Sequence, residues 1–369
     1  MADPTMLRVL WCVKGLGPGG AERLLVSAAM RHDRARFAIE VVYLLPWKDH
    51  LVGELEAEDV PVRCLGGRRG DPRWMVRLAR EVRRADVDVV HLHSPVMAAV
   101  ARIALLGRRR PVTVSTQHNL WDSFRAPTRW VNRLTLRRDR HVVAVADTVR
   151  ETMGSAAEGA EVIVHGVPLD ELRARVPDRA AVRADLGVPD GADLVVTVAN
   201  LRSNKAYPDL LEAARRLLDR RDDVRFVAIG QGPLADELES ERQRLDLGDG
   251  FRFLGFRTDA VEITSAADLF VLSSRHEGLP VAIMEALAVG IPVVSTDAGG
   301  VTSAVRDDVE GRIIPVGRPD LLADAIDEVL SDDELRARLA RAAAERGPAF
   351  SIEAAVERWE EIYETVAAP

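Results

Sequence analysis

With 369 residues, 47% of them hydrophobic, the chain is long for one core and carries enough apolar surface for two. Its two cysteines lack metal or redox spacing, which excludes a disulfide framework, and no apolar run reaches the roughly 18 residues that span a bilayer. Within a net charge of −8, basic residues prevail in the first half and acidic ones in the second; without a nucleic-acid motif this total excludes nucleic acid as a partner.

The first residues hold no basic-then-apolar export signal, so the protein is expected to be cytoplasmic. The apolar run LRVLWCV predicts a first strand containing Cys12. It is followed by VKGLGPGGAERLL, residues 13–25, a glycine-rich loop entering a helix. Gly15, Gly17 and Gly20 satisfy G-x-G-x-x-G, the pattern of a dinucleotide cradle. Such a site also needs an acid at the end of the second strand to hold a ribose. Glu40 opens the run EVVYLL and falls at the wrong edge, which argues against that cofactor. Cys64, just after the next strand, reads with Cys12 as a small core residue. Arg73, Arg77, Arg80 and Arg84 then form a helical stripe. Asp86-Val87-Asp88 enters the strand VDVVHLH, so this Asp-x-Asp lies at the edge away from the ligand side and is read as an accident of composition. His91 and His93 share one face of that strand; with no third ligand in view they read as strand-end packing and cleft lining. The run Arg108 to Arg110 precedes VTVSTQH, which ends at His118. Arg129, Arg133 and Arg137 beside Trp130 form a second basic stripe. These stripes read as solvated faces, with an anionic lipid surface at the inner membrane face as the alternative partner.

After RHVVAVA, the segment 166–190 carries three prolines and much charge, and is expected to be a linker. The second half repeats the alternation: DLVVTVAN, VRFVAIG, GFRFLGF, ADLFVLSS and IPVVSTD, separated by helices such as 209–221, 234–247 and 281–289. Continuous apolar strands alternating with helices indicate two doubly wound α/β domains. Ligands of open α/β sheets bind beyond the carboxyl ends of the strands, so two facing sheets would enclose a cleft. A last helix, about 351–366, places Ala355, Trp359, Ile362 and Val366 on one face that must be covered.

The stretch SSRHEGLPVAIMEALAVGIPVVSTDAGG, residues 273–300, carries the most chemistry. If a helix begins directly after Glu277, then Glu277 stands at its open amino end and Glu285 two turns on. One carboxylate could meet a sugar and the other a ribose. The amides beside Gly278, Leu279 and Pro280 would face a phosphate. This block resembles the Glu-x7-Glu signature of glycosyltransferase family 4, retaining enzymes of the GT-B fold. GGAERLL, VVHLHSP, STQHN, VIVHGVPLD, VANLRSNKAYPDLLEA, AIGQGPL and FLGFRTD follow in that family's order, so the resemblance covers nearly the whole chain.

The resemblance implies a GT-B architecture of two Rossmann-like domains facing across a cleft. Residues 1–168 would form the acceptor side and 169–348 the nucleotide-sugar side, with 349–369 a helix returning to the first domain. It implies transfer of a hexose-type sugar from a nucleoside-diphosphate sugar to a hydroxyl acceptor, with no cofactor and no metal. By position, Gly19 and Gly20 would allow close backbone approach, and His93 and His118 would lie on the acceptor side. Lys205 would balance the diphosphate and Glu277 hold the transferred sugar. Glu285 would hold the ribose, while backbone groups at Phe256 and Arg257 read the base. The family's usual arginine is absent: Ala199, Asn200 and Leu201 stand where relatives often have Gly-Arg-Leu. Arg202, two positions on, is the expected substitute, with Asn200 the weaker one. VTSAV after Gly300 replaces a common proline-glutamate pair. An epimerase of the same architecture and a non-catalytic sugar-nucleotide-binding protein are the competing readings.

Overall fold

Alternate residues of the first strand serve two different layers, which is why LRVLWCV is apolar throughout. Val9, Trp11 and Val13 face one buried cluster, Leu10 and Cys12 the other. The structure, a computed structural model, describes residues 6–68 and 70–368. The chain forms two units: residues up to Gly166 together with Ile352 onward, and Val167–Ser351.

The first unit holds β1 (Leu7–Val13), β2 (Phe37–Tyr43), β3 (Val62–Cys64), β4 (Val89–Leu92), β5 (Val112–Gln117), β6 (His141–Ala144) and β7 (Glu161–Val162). They form one parallel sheet in the order β3-β2-β1-β4-β5-β6-β7. The helix Arg73–Arg84 buries Trp74, Leu78 and Val82 on one face; the helix Gly20–Ala29 packs on the other with the final helix, Ile352–Ala367. The final helix buries Ala355, Trp359 and Ile362 there, and Val366 packs partly buried against the same cluster.

The second unit holds β8 (Asp193–Val198), β9 (Val224–Ile229), β10 (Phe251–Gly255), β11 (Leu269–Leu272), β12 (Val293–Thr296) and β13 (Gly311–Ile314). These too are parallel, in the order β10-β9-β8-β11-β12-β13. In each sheet the strand order reverses once, between β1 and β4 and between β8 and β11. Loops leaving the carboxyl ends of those neighbours diverge and leave room for a ligand.

Three expectations need correction. The segment 166–190 is not a linker: its helices Leu169–Ala174 and Arg179–Asp185 belong to the second unit, where Arg179 and Arg183 both reach the Asp268 carboxylate, at 2.5 and 2.9 Å. Cys64 is exposed, because β3 is the edge strand, whereas Cys12 is buried and its thiol pKa is driven up by desolvation. His91 is fully buried and lines no open surface.

The sequence reading also passed over Arg102, an arginine inside the apolar helix Pro95–Ala104. Its guanidinium makes a two-pronged contact with Asp139 at 2.9 and 2.7 Å, and Nη1 donates to Asn132 Oδ1 at 3.0 Å. Neither charged side chain has any exposure. Removing one partner strands the other charge in a dry interior. Asp139→Ala is expected to destabilise the first unit by about 3–5 kcal/mol. Asp86→Ala, which opens a surface pair between Arg8 and the 94% exposed Asp86 side chain, should change stability little. Urea unfolding followed by tryptophan fluorescence reads this directly, because every tryptophan belongs to the first unit.

Candidate functional site

At the reversal point of the second sheet, the loop after β8 meets the loop after β11. The first of these, Ala199–Lys205, is pinned by the loop after β9: Ala199 N donates to Ile229 O at 3.0 Å and Leu201 N to Gln231 O at 3.1 Å. A Cβ on Gly230 would lie 2.0 Å from Ala199 O, and one on Gly232 2.3 Å from Leu201 O. The Gly-x-Gly of AIGQGPL is therefore a steric requirement of this approach. A short 3-10 turn, Ser203–Lys205, delivers Lys205, and Ala206 takes a left-handed conformation (φ +48°) to start the helix Tyr207–Leu218. Tyr207 OH ties that helix back to Ala199 O at 2.8 Å.

The second loop, Ser273–Pro280, interlocks with the loop after β12. Glu277 N donates to Ala298 O at 2.9 Å, and Gly300 N to Glu277 O at 3.0 Å. A Cβ at Gly300 would stand 1.4 Å from Gly278 O, so only glycine fits. Glu277 Oε1 accepts from Lys205 Nζ and from Ser274 Oγ, each at 2.5 Å. Among the described residues, Oε2 receives no hydrogen bond. The carboxylate is 9% exposed and the Lys205 side chain 18%, so a nearly buried acid has its counter-charge in contact. The structure thus brings together Lys205 and Glu277, residues assigned to different parts of one ligand.

The helix begins at Val281 with Pro280 as its cap, not directly after Glu277. Glu277 is therefore held by the loop, off the helix, and Glu285 lies half-buried in the helix's second turn. Among the described residues, the amides of Gly278, Leu279, Val281 and Ala282 donate to no carbonyl, which leaves four backbone donors in the stretch that leads into the helix. Asn200 and Arg202 are exposed on the neighbouring loop. The Arg202 guanidinium makes no ion pair among the described residues. Phe256 is exposed. The Arg257 side chain is committed to Asp259, at 2.7 and 2.5 Å, and holds that carboxyl below its usual range.

In the first unit, Gly19 caps the helix Gly20–Ala29, and Glu22 in its first turn pairs with Lys48 at 3.1 Å. Glu40 sits mid-strand opposite Leu10 and is taken by Arg8 and Arg63. Asp86 and Asp88 precede β4 and are held by Arg8 and Arg110, whereas His93 follows the strand. His118 is half-buried after β5: its Nε2 lies 3.1 Å from His93 Nδ1 and its Nδ1 2.9 Å from His165 Nε2. Sequence reasoning missed His165. The signal was present in VIVHGVP, where a histidine ends the apolar run leading out of β7. His91 contacts Tyr363 OH at 2.6 Å and Thr116 Oγ1 at 2.8 Å. Trp359 covers the group, its ring 5.4 Å from that of His165 and 5.8 Å from that of His91.

The two parallel Rossmann-like units have the fold of GT-B glycosyltransferases. The chain matches Glycosyltransferase Family 4 over residues 18–171 and Glycosyl transferases group 1 over residues 178–346. It belongs to this family of glycosyltransferases. An alpha-D-kanosaminyltransferase from Streptomyces kanamyceticus is 29% identical over 318 residues, 81% of this chain and 82% of that protein. A phosphatidyl-myo-inositol mannosyltransferase from Mycobacterium leprae is 28% identical over 306 residues, 80% of this chain and 76% of that one. HepE of Anabaena, crystallised with UDP, shares the fold at a TM-score of 0.85 and 24% identity, over 97% of this chain and 100% of its own. Sucrose-phosphate synthase from Thermosynechococcus elongatus does so at 0.81 and 17%, over 97% and 99%.

Burial first, then neighbouring imidazoles, hold the pKa values of His91, His93 and His165 well below the ordinary 6.5, and burial pulls His118 down to about 4. These rings stay neutral when folded, while unfolded histidines take up protons below about pH 6.5. The unfolded state then binds more protons, so stability is complete above that pH and falls as pH drops from 6.5 toward 4. The slope approaches about 1.4 kcal/mol per pH unit for each histidine. The first unit should therefore lose urea resistance between pH 7 and 5, as read by tryptophan fluorescence. The second unit, whose one histidine, His276, is exposed, should show a much weaker dependence in the remaining circular-dichroism transition. Parallel loss in both would contradict this assignment.

Proposed function

We propose that the protein transfers a hexose-type sugar, with retention and without a divalent metal, from a nucleoside-diphosphate sugar to a hydroxyl group of a glycan, lipid-linked or small-molecule acceptor. The observation that carries this reading is the meeting of Lys205 and Glu277 beside four unengaged amides at the start of the helix Val281–Ala288. A diphosphate set against that helix start gains the amide donors and the positive end of the helix. Lys205 and Arg202 supply mobile positive charge to the leaving group. Glu277 then exchanges part of its contact with Lys205 for sugar hydroxyls, Glu285 holds the ribose, and backbone groups at Phe256 and Arg257 meet the base. The bond from the anomeric carbon to the diphosphate oxygen breaks, its electron pair leaving with the diphosphate. The acceptor oxygen bonds from the same face, and its proton passes to the departing diphosphate oxygen.

His118 and His93, with Gly19 and Gly20, are assigned to the acceptor side. The names of the relatives, a kanosaminyltransferase and a mannosyltransferase, support a sugar-transfer reading, and HepE complexes with UDP and UDP-glucose support a nucleotide-sugar donor. Trp130 and Leu134, 64% and 60% exposed and one turn apart beside exposed Arg133 and Arg137, support peripheral contact with anionic lipid.

Lys205→Ala should weaken nucleoside-diphosphate binding by roughly tenfold to a hundredfold, the range for losing a charge-assisted hydrogen bond, and, because it strips the nearly buried Glu277 of its cation, should also lower the stability of the second unit. Glu285→Gln should weaken nucleoside binding, whereas Glu277→Gln should chiefly slow transfer and loosen the choice of sugar. Activity should survive EDTA and the double change Asp86→Asn, Asp88→Asn. Calorimetric titration with a panel of nucleoside diphosphates, together with product analysis, reads each arm. Reversible loss of turnover on chelation would overturn the metal-free reading, and unaltered diphosphate binding by Lys205→Ala would overturn the phosphate assignment.

A further inference from the structure

Two hydrogen-bonded rows run through the first unit, one containing a single histidine and the other made of three. The direction of the first is fixed by a residue that can only donate. Trp11 Nε1–H points at Tyr363 O, 3.1 Å away, so the phenol proton is left to go to His91 Nδ1 at 2.6 Å. His91 must then carry its own proton on Nε2 and donate it to Thr116 Oγ1 at 2.8 Å. The second row is His93 Nδ1, His118 Nε2, His118 Nδ1 and His165 Nε2. Three neutral rings in line have two possible directions. If protons ran from His165 toward His93, then His93 would hold its proton on Nε2, a buried nitrogen with no hydrogen-bond partner. If they run from His93 toward His165, that orphaned nitrogen holds only a lone pair. A buried N–H without an acceptor is the rarer and costlier defect.

We propose that His93 and His165 are positioning residues that fix the ring orientation of His118 and its tautomer, with the proton on Nδ1. His93 donates to His118 Nε2, and His118 Nδ1–H donates to His165 Nε2. His165 thus holds its own proton on Nδ1, and its ring stands edge to face with that of Trp359, the centroids 5.4 Å apart. His118 presents one basic nitrogen, Nε2, and His93 occupies it until an acceptor hydroxyl displaces that bond. This deepens the reading of His118 as an acceptor-side residue and rests on that reading only for its kinetic part.

Long-range 1H–15N spectra of the full-length protein labelled with 15N-histidine give each tautomer without a variant or a substrate. The parent should show His118 protonated on Nδ1 and His91 on Nε2. A parent His118 protonated on Nε2 would overturn the proposal outright. In His165→Phe, which has no acceptor, the His118 signals should shift toward a mixture of tautomers while those of His91 stay unchanged, certifying the fold. In His165→Gln the side-chain oxygen replaces Nε2 as acceptor, and the parental pattern should return. Transfer rate should follow the tautomer: kcat down by roughly tenfold or more in His165→Phe, donor KM little altered, and both restored in His165→Gln. An unchanged His118 tautomer in a folded His165→Phe protein would also overturn the proposal. If His118→Ala transfers sugar as well as the parent while the spectra are as expected, the acceptor-side reading fails and the hydrogen-bonded row stands.

Discussion

The candidate donor site depends on one constraint, the reversal of strand order in a parallel sheet. β8 and β11 lie side by side although their loops are some seventy residues apart in sequence, so the ends of those loops must share one patch of space. Glycine at 230, 232 and 300 lets the backbones close to distances that a single methyl group would forbid. Once the loops are that near, the Glu277 carboxylate is largely withdrawn from water and needs a cation in contact; Lys205 provides it. The ion pair is thus both a product of the close packing and the reason it can be tolerated.

The fold was legible because period and composition agreed. Strands such as LRVLWCV and ADLFVLSS are apolar on both faces, as a covered parallel sheet demands, and the stripe Ala355, Trp359, Ile362 announced a helix that needed a partner surface. The proximity of Lys205 to Glu277 was not legible: two residues given separate duties turned out to touch, and no local pattern encodes a contact across 72 positions. The start of the helix at Val281 was legible for a local reason: Pro280, which cannot donate, stands as its cap and leaves Glu277 three residues outside it. Arg102 was overlooked because a charged side chain in an apolar helix reads as a surface residue until the topology brings Asp139 and Asn132 to it. Cys64 shows the reverse error: an edge strand does not bury its last residue.

The two units manage polarity in opposite ways. The second puts opposite formal charges in contact and leaves backbone donors unengaged around them. Apart from the buried Arg102–Asp139 pair, the first builds its polar interior around His91 and His118 from neutral imidazoles, an indole and a phenol, linked donor to acceptor under an aromatic cover. A row of neutral rings specifies orientation strictly, because each ring has one proton to give and one lone pair to receive it. The same row tolerates no added proton, which ties the fixed geometry to a limited pH range.

The return of the last helix to the first unit has a consequence during synthesis. The cluster formed by Val9, Trp11, Phe37 and Val41 is completed by Ile352, Val356, Trp359 and Tyr363, residues made after the whole of the second unit. Val167–Ser351 holds its strands and their covering helices in one uninterrupted stretch. As the chain leaves the ribosome, the middle segment can therefore close its core first. The amino-terminal sheet must wait with part of one apolar face, beside the helix Gly20–Ala29, uncovered until the sixteen-residue helix Ile352–Ala367 emerges. Translation of this protein finishes its second unit before its first.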